Sequence, residues 1–94
     1  MRYTKAIDVW VDVDTKDLFV KFSNGKIKKL NMIEALEGLE NTWAGGILKP
    51  EIFDKVKVKN GMPTWPNEFD FDTDVIYDYG VDVPAKKNNY KVYL

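Results

Sequence analysis

Residues 53–77 leave this chain few ways to fold. Val56 and Val58 alternate with Lys55, Lys57 and Lys59, and Asn60-Gly61 then turns the chain toward Met62-Pro63-Thr64-Trp65. Period-two alternation marks a half-buried strand. Asn-Gly supplies the positive φ angles that both central positions of a type I′ turn require, so turn chemistry as well as pattern sets the register. Pro63 has no amide hydrogen to give a ladder, which places its amide position outward or at a bulge and puts residues 62–65 at an edge. Trp65-Pro66 holds an extended corner, because the residue before a proline avoids the helical region. Asp72 then caps a short helix through Tyr77, with Thr73 and Asp74 in its first turn.

The chain before this stretch is predicted to build the rest of a sheet. Residues 4–14 place Ile7, Val9, Val11 and Val13 on one face and Asp8, Trp10, Asp12 and Asp14 on the other. Trp10 thus stands on the charged face, where it either covers a sheet edge or belongs to a partner surface. Residues 14–17 form a turn, 18–22 a second strand, and Ser23-Asn24-Gly25-Lys26 a second type I′ hairpin leading into a strand over 27–30. Lys21, Lys26, Lys28 and Lys29 cluster around that hairpin, as charges that blunt an exposed edge do; a nucleic-acid patch is the alternative.

Asn31 is a favoured N-cap, and Glu34 three residues on has the capping-box spacing. Met32, Ile33, Leu36 and Leu39 form the apolar stripe of the resulting helix, which Gly38 is placed to end. The loop over 40–49 carries Trp43 beside Gly45-Gly46, either as a plug over the core or as an exposed contact. Pro50 suits the first position of a helical turn over 50–54, with Ile52 and Phe53 inward. The alternation over 89–94 suggests an added strand, paired within the chain or with a second copy. The expected fold is therefore α+β. A small antiparallel sheet is built from two hairpins plus an N-terminal strand, with one main helix on one face and short helical turns.

A chain of 94 residues is one domain, and at this size it buries only roughly 60–65% of its unfolded surface. A net charge of −1 gives no general attraction to nucleic acid or anionic membrane. The sign is uneven along the chain, however. Residues 60–85 contain no Lys or Arg but carry Glu68, Asp70, Asp72, Asp74, Asp78 and Asp82. There is no Cys and no His. That excludes disulfides, Cys nucleophiles, the common zinc sites and His-assisted Ser or Cys catalysis. No apolar run approaches the roughly 20 residues of a membrane span, and the N-terminus lacks a signal peptide's apolar core. The expectation is a cytoplasmic protein.

With these segments in view, the chain resembles the domain of unknown function 2442, a family of small bacterial proteins. The resemblance rests on the hairpin Leu18-Phe19-Val20-Lys21-Phe22-Ser23-Asn24-Gly25, on Leu48-Lys49-Pro50-Glu51-Ile52-Phe53, and on residues 65–77, beginning Trp65-Pro66-Asn67 and ending Val75-Ile76-Tyr77. It covers roughly residues 5–78 and departs at Glu68, where the family usually has glycine, and at Thr73, where proline is common. The division it suggests is a family-like α+β domain over 1–78 and a chain-specific tail over 79–94. It implies a small α+β fold with little chemistry, in proteins often encoded beside another small protein in toxin–antitoxin-like pairs. Relatives fused to a helix-turn-helix are known; only 16 residues follow Asp78 here, so no such module is expected.

Asp70, Asp72 and Asp74 have the spacing that opens a calcium loop. The sixth position of that loop is Val75 instead of glycine and the twelfth is Val81 instead of glutamate. Caps and exposed turn charges account for the same residues. No carboxylate is marked for a raised pKa or placed beside a nucleophile, so no catalytic residue, cofactor or metal is expected. The candidate surface residues are Lys55, Lys57 and Lys59, with Trp43 and Trp10. The expected partner is a protein, through an exposed strand edge or an acidic surface facing a basic toxin, with a homodimer as one form of it. Nucleic acid bound to the lysine face, with Trp65 as a stacking platform, is the alternative.

Overall fold

The computed structural model describes residues 5–84. The chain folds as a small α+β unit. Strands β1 (Ala6–Asp12), β2 (Asp17–Phe22) and β3 (Ile27–Asn31) form an antiparallel meander, and β6 (Val81–Asp82) adds to β3, giving the order β1-β2-β3-β6. The second hairpin, β4 (Lys57–Lys59) and β5 (Met62–Thr64), is a separate two-stranded sheet rather than part of the same ladder. It is tied to the first by the Ala6 amide, which donates to the Gly61 carbonyl at 3.0 Å.

The two Asn-Gly turns differ. Asn60 (φ 55°) and Gly61 (φ 77°) are both left-handed, as a type I′ turn needs. In the first hairpin only Gly25 is left-handed, at φ 91°. There the loop is four residues long, closed by Gly25 N–H donating to Phe22 C=O at 2.9 Å and Phe22 N–H donating to Lys26 C=O at 2.8 Å. Asn24 uses its side chain instead, accepting from the Lys26 amide at 3.0 Å. One left-handed residue after an ordinary turn closes a longer loop as well as two close a short one.

Leu18, Val20 and Phe22 alternate along β2 and are all fully buried. They meet Met32, Leu36, Ile47, Phe53, Trp65 and Ile76, so every helical segment lies on this one side of the sheet. The register slips between Ala6 and Asp8, so Ile7 is the extra residue of a bulge and is exposed, against the expected alternation. Val9 and Val11 keep the core-facing phase.

The helix predicted from Asn31 begins as expected: the Asn31 Oδ1 accepts from the Glu34 amide at 3.0 Å. It ends after one turn, α1 (Met32–Ala35), and Gly38 turns left-handed soon after, at φ 86°. Only Met32 and Leu36 of the expected stripe are therefore buried, while Ile33 and Leu39 are exposed. A 3-10 turn (Ala44–Leu48) leads into α2 (Pro50–Phe53), which starts on its proline and buries Phe53 as predicted. The longest helix among the described residues is α3 (Thr73–Tyr79). Its cap is Asp72, whose carboxylate accepts from the Asp74 amide at 2.9 Å.

The Trp-Pro-Asn corner is tightly organised. The Glu68 amide donates to Trp65 C=O at 2.8 Å, the Trp65 amide donates to Phe69 C=O at 2.9 Å, and the Asn67 side chain accepts from the Phe69 amide at 3.2 Å. Glu68 is forced to φ 71°, a region in which a side chain costs roughly 1–2 kcal/mol. Pro63 is fully buried and pairs with Val58; its carbonyl accepts from Phe71 N–H at 3.1 Å.

Candidate interaction surface

Packing every helical segment on one side of the sheet leaves the other side as a platform among the described residues. Residues paired across antiparallel strands share a face. The register therefore sets Trp10 beside Phe19, Phe19 beside Lys29 and Lys29 beside Val81. This row crosses all four strands, a span of about 14 Å at the usual strand spacing. Trp10 and Phe19 stack with ring centroids 5.7 Å apart and planes 4° from parallel.

The row lines a groove of about 580 Å³. Val11, Val13, Val83 and Pro84 supply further apolar wall, and Asp12, Asp14 and Asp82 supply negative charge against the single lysine, Lys29. Two apolar members are open to solvent, Val81 at 62% and Val13 at 41%. Such an apolar, negatively rimmed concavity is unusual for a surface that serves only as solvated exterior.

The far end of the groove is fixed electrostatically. Lys28 Nζ lies 2.8 Å from the Asp82 carboxylate and 5.2 Å from the centre of the Tyr77 ring. Its hydrogen bond, then its charge, then that of Lys26 hold the Asp82 carboxyl below the usual 3.8, against a smaller effect of burial. An ionised, ion-paired carboxylate is a poor general acid at neutral pH. It is a clamp: it pins β6 to β3 while Val83 N–H donates to Ile27 C=O at 2.9 Å.

The sheet's edges are unequal. β6 is two residues long, whereas β1 pairs only with β2, so its outer side ends the ladder. The Asp8 carboxylate accepts from the neighbouring Val9 amide at 2.9 Å, and Asp12 likewise accepts from the amides of Asp14 and Thr15. Acidic side chains therefore guard that edge.

The sequence-predicted candidates do not converge. Trp10 lies in the groove. Lys55, Lys57 and Lys59 line a smaller hollow, about 210 Å³, together with Trp65, Pro66 and Glu68. Trp65 was the expected stacking platform for nucleic acid there, but it is a core residue, 2% exposed. Its ring packs 6.2 Å from Phe53, and its indole N–H donates to Phe53 C=O at 3.0 Å. The lysine face therefore has no aromatic to offer a base, and Glu68 stands among its lysines.

Trp43 lines neither hollow. It is no core plug: the ring is 61% exposed. It is held in place, however, by its indole N–H donating to Asn67 C=O at 2.9 Å and by an edge-on contact to Phe69 at 5.3 Å. Asn67 returns the bond, its side-chain amide donating to Trp43 C=O at 3.2 Å. Trp43 braces the corner from outside.

Phe19, Lys29, Val81 and Val83 were not singled out from sequence. A signal existed for Phe19: in Leu18-Phe19-Val20-Lys21-Phe22 it is the aromatic out of phase with the buried positions. Comparison of the chain with protein-family models, with curated proteins and with solved structures found no match. No helix among the described residues is long and apolar enough to cross a membrane.

Proposed function

We propose that this chain is a non-enzymatic protein-interaction module, the regulatory or antitoxin-like partner of a small protein encoded beside it. Its recognition surface is the open face of the four-stranded sheet with the outer edge of β1. The observation that carries this reading is the cross-strand row Trp10–Phe19–Lys29–Val81 lining an apolar groove on the helix-free face of the sheet. A stacked aromatic pair offers much contact area at small entropic cost, which is why such residues anchor interfaces.

The chemistry of the rim specifies the partner further. Asp8, Asp12 and Asp14 along β1, with Asp82 across the groove, favour a basic segment presenting apolar side chains. Such a segment could add to β1 as a strand, its backbone meeting the outer edge and alternate side chains entering the groove. Nucleic acid is the weaker reading, because this surface is acidic and the lysine face lacks a stacking platform.

Co-expression of the chain with the product of the adjacent gene, followed by co-purification, tests the proposal. The two proteins should elute together, and Trp10→Ala should weaken the complex at least tenfold with the fold intact. Elution of the chain alone at every concentration would remove the reading.

A further inference from the structure

The groove has a second claimant, the chain itself. Its wall ends at Pro84, and Val83 is already bonded to β3, so residues 85–94 start from the rim of the groove. Their sequence is Ala-Lys-Lys-Asn-Asn-Tyr-Lys-Val-Tyr-Leu: three lysines, no acidic residue, and four large apolar or aromatic side chains. That chemistry complements the groove, with its Asp12, Asp14 and Asp82 around Trp10, Phe19 and the valines. The length also suffices. Ten residues reach at most about 33 Å, against about 14 Å for the row across the four strands. We propose that residues 85–94 are the groove's own ligand and occupy it in the free chain, so that a partner must displace them to bind.

Tethering decides the strength of this competition. A segment attached at the rim acts at an effective concentration in the millimolar range. A weak intrinsic affinity would therefore still fill the groove, and an external ligand would bind correspondingly less tightly. The inference rests on the reading of the open face as a recognition surface and adds a regulatory element to it.

The absence of cysteine from the sequence makes disulfide trapping in the full chain a clean test. Val13→Cys at the groove is combined in turn with Tyr90→Cys, Val92→Cys and Leu94→Cys. The control is Glu37→Cys, on the exposed stretch after α1, combined with the same three. A bridge forms readily only when the two Cα atoms come within about 7 Å. At least one Val13→Cys pair should close an internal disulfide in at least tenfold higher yield than its control, and saturating partner should reduce that yield several-fold.

Yields equal to the control overturn the proposal, and so do disulfides formed mainly between two chains, which would make the occupant a second copy. In either case, a complex still weakened by Trp10→Ala leaves the recognition surface standing and removes only the segment's claim to it.

Discussion

The two faces of the four-stranded sheet use the same strands for opposite purposes. On one, Leu18, Val20 and Phe22 vanish into a core with Phe53, Trp65 and Ile76. On the other, Asp17, Phe19 and Lys21 keep part of their surface in water, and Phe19 stacks on Trp10. A one-residue step along β2 moves from the part that holds the fold to the part that meets another molecule. A domain of 94 residues can fill only one layer of core, so a sheet covered on one side leaves the other face free to evolve contacts. The two tryptophans tell the same story: Trp65 satisfies its indole N–H inside, on Phe53 C=O, whereas Trp10 lines a groove.

The sharpest way to break this contrast is to truncate one aromatic on each face. Phe22→Ala should cost about 3–5 kcal/mol, the range for emptying a core aromatic site. Phe19→Ala should cost about 1 kcal/mol, the worth of a stacked pair with modest further burial, yet weaken partner binding at least tenfold. Denaturant titration with a binding assay measures both, and comparable stability losses would erase the distinction between the faces. The strained corner belongs to the closed side. Glu68→Gly should raise stability by about 0.5–1 kcal/mol, since the relief of φ 71° is offset in part by glycine's entropy, and should leave partner affinity unchanged.

The smallest effect concerns the clamp at the groove's end. The folded-state pKa of Asp82 is depressed, so its contribution to holding β6 is fully present above the ordinary carboxylate value. It is lost as pH falls through the lowered one. The NMR shifts of Val81 and Tyr77 should stay flat down to about pH 4 and move only below it. In Lys28→Ala the transition should shift to higher pH; an unchanged midpoint would show that Lys28 is not its cause.

Much of the frame was legible in the residues. The Asn60-Gly61 turn, the caps Asn31 and Asp72 and the proline start of α2 rest on local chemistry that acts over three or four residues, and they appear where the sequence places them. The departures are tertiary. α1 stops after a turn, so Ile33 and Leu39 leave the core; the bulge at Ile7 depends on pairing with β2; and whether the second hairpin joins the first ladder is decided by packing around Trp65. The candidate surface was half legible. Trp10 stood out, but Lys29, Val81 and Val83 join it only through the β3–β6 pairing, which local pattern does not encode, and the expected strand over 89–94 lies outside the described residues. The lysine stripe is a regular pattern in sequence, yet in three dimensions it surrounds the buried Trp65 and the acidic Glu68.

Hydrogen exchange of the chain with and without its co-encoded partner tests the central claim most directly. Binding should slow exchange at residues 8–14 and 81–84, the β1 edge and the groove wall, and leave residues 55–60 unchanged. Slowed exchange confined to residues 55–60, with the groove unaffected, would contradict the account and return the lysine face as the functional surface.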